Sequence, residues 1–484
     1  MQQHHKLWIC VFALGSAALP QPSVVSPKGT GPVQISGSIR SRIEAWDWFQ
    51  GQPDQDSSYW FSGNLLRLSL SQARENWDWQ LEIAAPVLLN LPDHAIAPAP
   101  QLQLGLGGNY FGANDMSSNT AGVFAKQAFV RWKSGSHFVR LGRFEFNDGS
   151  EAIRPDATLT TLAKDRISQR LIGGFGWSHV GRSFDGVHYG WNSKRLNVTA
   201  IAFAPTRGVF QTDGWGNLHI GVLYGAITRQ LGIKGNAGEA RAFVIGYQDW
   251  REIVKTDNRP AASSSGDLSG LRIATFGGHY IHALTTAAGT VDGLAWGAVQ
   301  TGTWGPLHHS AWAWTVEAGW QPEVLKRVRP WIRGGYSYSS GDNDPRDATH
   351  RSFFQILPTP RPYARFPFFN MMNNEDLHGS LILRPDKRVS IRTDVHGLRL
   401  SSGNDSWYQG GGAFQPWSFG YTGRPGNGNR GLATLYDASI DIEASAHVTL
   451  SGYFGRAIGH SVIRSIYPEK KDSNFGYVEA SYKF

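Results

Sequence analysis

Cysteine is almost absent from this chain: the single example, Cys10, falls within the first twenty residues. Downstream of it there can be no disulfide framework, cysteine metal site or thiol nucleophile. Charge is scarce too, at 17% of 484 residues, against about 25% in an ordinary soluble domain. Apolar runs suited to a membrane-spanning helix are missing. Two uncharged stretches, 273–291 and 293–316, reach the length of about 18 residues that such a helix needs. The first is interrupted by Gly277, Gly278, His279 and His282, the second by Pro306, His308 and His309. Both alternate large and small side chains, as strands do. There is no glycine period of three, which excludes collagen. The aromatic content excludes intrinsic disorder.

What is abundant is glycine (57), tryptophan (19) and aromatic residues in general (12%). With little charge and no long apolar runs, that composition points to a large antiparallel β protein. The first residues have their own layout. His4, His5 and Lys6 precede a nine-residue apolar core, 7–15, and the small residues Ser16, Ala17 and Ala18. This is the order of a secretory signal peptide. The expected organisation is a signal peptide over 1–18, an N-terminal periplasmic segment over 19–37 and one β-barrel over 38–484.

Alternation recurs along the chain. Leu66, Leu68 and Leu70 oppose Arg67, Ser69 and Ser71. Trp312, Trp314, Val316, Ala318 and Trp320 oppose Ala313, Thr315, Glu317 and Gly319. Val389, Ile391, Thr393 and Val395 oppose Ser390, Arg392, Asp394 and His396. A soluble sandwich would also give one apolar face per strand, so the connections decide. Eighteen candidate strands run from 38–48 and 62–72 to 448–457 and 474–484. Every second connection is short, as at 73–76, 133–136 and 385–388. The intervening ones tend to be long, as at 86–120, 144–181, 339–375 and 402–434. Short periplasmic turns, long outer loops and an even strand count define a closed antiparallel outer-membrane β-barrel. Lipid holds no water for an open strand edge, so the sheet must close. Trp77, Trp132, Tyr189, Trp191, Trp320 and Tyr482 lie at short-turn ends and suit an interfacial aromatic girdle. The chain ends on Val478, Ala480, Tyr482 and Phe484. A final strand with a terminal aromatic resembles the assembly signal of outer-membrane proteins, which assigns Tyr482 and Phe484 to recognition by the barrel assembly machinery.

A barrel of eighteen strands is wide enough for an aqueous channel, so lumen-facing side chains set selectivity. Strand phase places Arg40, Arg42, Arg67, Arg131, Arg140, Arg329, Arg333 and Arg392 inside. It places Glu44, Asp78, Glu82, Glu317, Asp394, Asp437, Asp441 and Glu443 there too. These charges nearly cancel, and pairing across neighbouring strands to brace the wall is the simpler role. A selective positive field then needs an inward-folded loop. The basic candidate is 143–182, with Arg143, Arg154, Lys164, Arg166, Arg170 and Arg182. Loops this long are functional or disordered.

Catalysis has little to stand on. No G-x-S-x-G elbow and no H-E-x-x-H are present, and neighbouring His308 and His309 would point to opposite faces of a strand. Asp342-Asn343-Asp344 offers oxygen ligands for Ca²⁺, though a solvated turn explains it as well. No enzyme activity, metal, cofactor or nucleic-acid partner is expected.

The run Leu141-Gly142-Arg143-Phe144-Glu145-Phe146, then Gln169-Arg170-Leu171-Ile172-Gly173, then Gly181-Arg182-Ser183-Phe184-Asp185-Gly186-Val187 resembles the alginate export family of outer-membrane porins. Leu357-Pro358-Thr359, Asn373 to His378, and His396 with Leu398-Arg399-Leu400 are similar to it as well. The resemblance covers roughly residues 38–484. It implies an eighteen-stranded barrel whose arginine-rich constriction passes an acidic polysaccharide such as alginate. It also implies a constriction built from Arg143, Lys164, Arg166, Arg170 and Arg182 with Asp185. By parity Arg143 and Asp185 fall with Leu141 and Val187, so they sit beyond the bilayer unless a bulge re-aims them. The expected partners are outer-membrane lipid and an anionic saccharide or small solute. The alternatives are a porin for sugars or aromatic acids, and a surface-binding barrel without transport.

Overall fold

The computed structural model describes residues 31–484 apart from 234 and 235. The expected signal peptide, and the expected periplasmic segment up to residue 30, lie outside the described residues. In chain order the strands are β1 (Gln34–Asp47), β2 (Ser58–Ala73), β3 (Trp77–Leu89), β4 (Thr120–Ala121), β5 (Phe124–Ser134), β6 (His137–Phe144), β7 (Phe184–Asn192), β8 (Leu196–Pro205), β9 (Ile220–Ile233), β10 (Asn236–Asp249), β11 (Leu271–Thr286), β12 (Gly289–Trp304), β13 (Leu307–Pro322), β14 (Trp331–Ser339), β15 (Thr349–His350), β16 (Glu375–Asp386), β17 (Val389–Arg399), β18 (Ser406–Gly410), β19 (Tyr421–Pro425), β20 (Gly431–Glu443), β21 (Val448–Gly459) and β22 (Asp472–Lys483). Four are minor: β4 and β15 add short pairings to the sheet, and β18 with β19 forms a separate hairpin in an outer loop. The other eighteen form the wall, each antiparallel to its neighbours.

The wall closes between its first and last strands. β1 pairs with β22, Ile39 opposite Tyr482, and Gly37 and Phe484 exchange two backbone hydrogen bonds of 2.9 and 3.0 Å. Closure therefore reaches the last residue of the chain and leaves no edge in lipid. One boundary differs from the expectation. β1 opens at Gln34, inside the segment assigned to the periplasm, because β2 runs on to Ala73 and offers Ser71 as a partner for Gln34.

The period-two pattern decides which face each residue meets. On β1, Arg40, Arg42 and Glu44 are buried toward the lumen, while Ile39 and Ile43 are exposed on the outer row. Outward Trp77 faces outward Trp132 across β3 and β5, and Trp320 and Tyr482 are exposed at the same end. No helix among the described residues is long and apolar enough to cross a membrane; the strands do the crossing. Connections at that end are short, with two residues at 135–136, 287–288 and 387–388. The other end carries the long loops, with one exception: β12 and β13 join through 305–306 alone.

The long loops turn into the barrel. Segment 145–183 reaches β1, β10 and β13, which lie at well-separated positions around the wall. It is sewn to segment 340–374 by backbone hydrogen bonds, Leu357 to Leu171 and Gly173 to Leu357, both 2.8 Å. Gly63 of β2 has no side chain where the His179 ring of the inward segment approaches, and a Cβ there would collide with the ring. Trp48, Phe49, Phe366, Phe368, Trp407 and Tyr467 form part of the apolar core of this plug. Burial of that aromatic surface holds the loops inside the wall.

Candidate functional site

The lumen wall carries arginines that are almost all neutralised locally. Arg42 donates to Glu479 at 2.7 Å and to Glu44 at 3.1 Å. Arg67 bridges Glu82 and Glu145, at 2.6 and 2.7 Å. Arg131 forms a two-pronged pair with Asp78, Arg333 binds Asp292 and Glu317, and Arg392 donates to Asp394 at 2.6 Å. Arg40 lies 3.9 Å from Glu479 and spends its other donors on the carbonyls of Gly176 and Ser178 in the inward loop. Two-pronged, buried pairs like these fix geometry and cancel charge. Arg329 departs from the strand-phase expectation. It sits exposed in the connection 323–330 and donates to the Arg384 carbonyl, because β14 begins only at Trp331.

The structure does not gather the six residues expected at the constriction into one cluster. Arg143 and Asp185 do meet, at 2.7 Å on both prongs, as register partners of β6 and β7. They share the outer row with the exposed Leu141 and Val187, so the pair belongs to the outside of the wall and not to the pore. Side-chain parity carries them outward, and no bulge intervenes between β6 and β7 to reverse it. Arg166 and Arg170 do enter the lumen, but as bracing. Arg166 donates to Glu317 at 2.9 Å and to His378 at 3.1 Å. Arg170 donates to Thr315 at 3.0 Å and lies 3.5 Å from Glu317. Lys164, on the single π-helical turn Ala163–Ile167, is exposed. Arg182 is fully buried and capped by the carbonyls of Ala413, Pro358 and Gly411, which locks one inward loop to two others.

Two arginines that strand phase could not reveal have the opposite character. Arg361 and Arg365 lie on the inward segment 340–374 and form no ion pair among the described residues. Arg361 donates to the Tyr477 hydroxyl at 2.6 Å and stands 4.6–5.2 Å from the Tyr453, Trp177 and Tyr477 ring centres. Its Nη1 is without a partner. Arg365 donates to Ser439 at 2.7 Å. Both remain half-buried. Guanidinium groups stay charged at any working pH, present paired donors and lie over aromatic faces. The only sequence hint was their spacing of four in an arginine-, proline- and phenylalanine-rich stretch, 360–369. Nothing local says that this stretch enters the barrel.

The sequence model of the family described as alginate export matches residues 113–453. That span covers most of the chain and most of the wall. The chain belongs to the alginate export family. No curated protein sequence matches it. Solved structures similar to the barrel include the outer membrane protein OpdK from Pseudomonas aeruginosa, with a TM-score of 0.55 at 8% identity, covering 93% of this chain and 99% of the other. Acinetobacter baumannii OccAB2 gives 0.55 at 8% identity, over 93% and 98%. Pseudomonas aeruginosa OccK2 (OpdF) in complex with glucuronate gives 0.54 at 6% identity, over 93% and 98%. At these identities the likeness is one of fold. This alginate export family member is thus an outer-membrane β-barrel porin.

Proposed function

We propose that the barrel passes an acidic saccharide, with Arg361 and Arg365 as the cationic contacts of the lumen. One observation carries this reading: these two half-buried arginines project from an inward loop without an ion pair, beside Trp177, Tyr453 and Tyr477, whereas Arg182, also without a carboxylate, is fully buried under carbonyls. A sugar carboxylate suits a two-pronged guanidinium, and aromatic rings offer faces to a pyranose. A narrow passage with low-dielectric walls strengthens such a field. Transit still requires weak, repeated contacts, and half-buried groups provide them. Family membership fits an alginate-like solute. The glucuronate-bound OccK2 suits a smaller carboxylate as a second reading.

Single-channel recording decides between them. An oligomer of uronic acid should block the current, while a neutral oligosaccharide of equal length should not. Arg361→Ala with Arg365→Ala should weaken that block about tenfold, the loss of roughly 1.4 kcal/mol. Equal block by the neutral oligomer would overturn the acidic-solute reading. Block by monomeric uronate alone would favour the smaller solute.

A further inference from the structure

A second cluster faces the lumen on β17 and β20. Asp394 and Asp437 are directly opposite each other in the register of these strands. His396 lies two residues from Asp394 on the same face. One ring nitrogen of His396 and one carboxylate oxygen from each aspartate all lie within 4.8 Å of one another. All three residues are buried, at 5%, 1% and 5% exposure for Asp394, His396 and Asp437.

Two like charges placed directly across a strand pair repel each other. Nearby cations offset that repulsion in part, but none of them among the described residues forms a hydrogen bond or close ion pair with Asp437. Arg392 donates to Asp394 only, and Arg365 donates to Ser439. Both carboxylate oxygens of Asp437 are buried and unpartnered. A buried carboxylate with no hydrogen bond is costly even where cations stand nearby, so its missing direct partner is the question the structure poses. The histidine supplies a direction. Its Nδ1 donates to Asp376, at 2.9 and 3.0 Å to the two carboxylate oxygens, because a carboxylate can only accept. That places a proton on Nδ1, so that the neutral imidazole presents its lone pair at Nε2, which has no partner. A carboxylate that orients a histidine in this way is the usual support of a metal-ligating imidazole.

We propose that Asp394, His396 and Asp437 bind one divalent transition-metal ion of the Zn²⁺ type in the lumen wall, with Asp376 as the positioning residue. One imidazole nitrogen and two carboxylate oxygens match the donors of Zn²⁺ or Mn²⁺, whereas Ca²⁺ takes six to eight oxygens. Metal bonds of about 2.1 Å draw the donors closer than 4.8 Å, a closure that side-chain torsions of the aspartates can supply. Three protein ligands leave a position open to the lumen. The ion would cancel the two negative charges at this height of the channel. The site rests on these residues alone and stands or falls independently of the saccharide reading.

The test uses the full chain purified in detergent without an affinity tag, stripped with a chelator and dialysed against Zn²⁺. Wild type should retain one Zn²⁺ per chain by elemental analysis, undisturbed by a hundredfold excess of Ca²⁺. Asp437→Asn and His396→Gln should each retain less than a tenth of that. Asp376→Asn should weaken binding by about 10–100-fold. Co²⁺ in the wild type should show the visible absorption of a low-symmetry nitrogen–oxygen site, lost in His396→Gln. Heat-modifiable migration on a gel certifies a folded barrel in every sample, and His396→Gln decides if Asp437→Asn does not fold. Folded wild type without stoichiometric Zn²⁺, or variants that retain as much as wild type, would overturn the proposal.

Discussion

Arg166 and Glu317 are separated by 151 positions in the chain, yet their side chains meet at 2.8 Å inside the barrel. One comes from the inward loop, the other from the wall strand β13. Glu317 also takes Arg333 at 3.1 Å and lies 3.5 Å from Arg170. One buried carboxylate therefore ties two arginines of the inward loop to the wall strand β13, beside the loop's other anchors on β1 and β10.

Changing Glu317→Gln should loosen that attachment. Removing one partner of a buried ion pair costs about 3–5 kcal/mol, because the remaining charges are left uncompensated. The expected result is a folded barrel with a noisier, larger single-channel conductance and faster protease cleavage within 145–183. A conductance trace indistinguishable from wild type would show that the plug does not depend on this carboxylate.

The Arg143–Asp185 pair should be silent in selectivity. It lies on the outer row, so Arg143→Gln with Asp185→Asn should leave the reversal potential unchanged in a salt gradient. The stability change should be about 1 kcal/mol or less, as for partly exposed pairs. A shift toward cation preference would place the pair in the pore after all.

Asp342 and Asp405 govern a pH response of the outer loops, outside the spanning strands. Burial pushes each carboxyl up to about 6, and in Asp342 the nearby Asp405 adds to the effect. Asp405 accepts from Ser352, the Asp342 backbone, Tyr408 and Ser406, and Asp342 lies 3.7 Å from Arg351. A folded-state pKa above the unfolded value of about 4 means the folded form holds the proton more tightly. Stability from these groups is complete below pH 4 and is lost as pH rises through 6, at most about 3 kcal/mol per carboxyl. Protease cleavage of 340–353 and 400–430 should thus be slower at pH 5 than at pH 7.5. Asp405→Asn should flatten that difference; an unchanged pH profile in the variant would remove Asp405 as its source.

Deleting Phe484 should impair assembly. Its backbone closes the wall on Gly37, and its ring, with that of Tyr482, is exposed on the outer surface. The truncated chain should be made normally but accumulate outside the outer membrane, with less heat-modifiable species on a gel. Equal outer-membrane levels of folded protein would show that the terminal aromatic is dispensable.

The sequence alone determined the wall. Strand side chains repeat every two residues, so Ile39, Ile43, Leu66 and Leu68 were legible as one face, and Arg40, Arg42 and Arg67 as the other, without any partner being known. The alternation of short and long connections gave the strand count and the orientation. The parity of Arg143 with Leu141 left that arginine either beyond the bilayer or re-aimed inward by a bulge, and the unbroken register of β6 with β7 decided for the outer row. Only the tertiary structure decided which cations are free. Arg170 and Arg182 read as pore residues in the chain, yet one lies against Glu317 and the other under three carbonyls from distant loops. Arg361 and Arg365 read as ordinary loop residues, yet they enter the lumen unpaired. Whether a charge is cancelled depends on contacts between segments more than a hundred positions apart, and those contacts leave no periodic trace along the sequence. The same holds for Asp437, whose exposure to Asp394 and His396 is set by the register of two strands joined through a long outer loop.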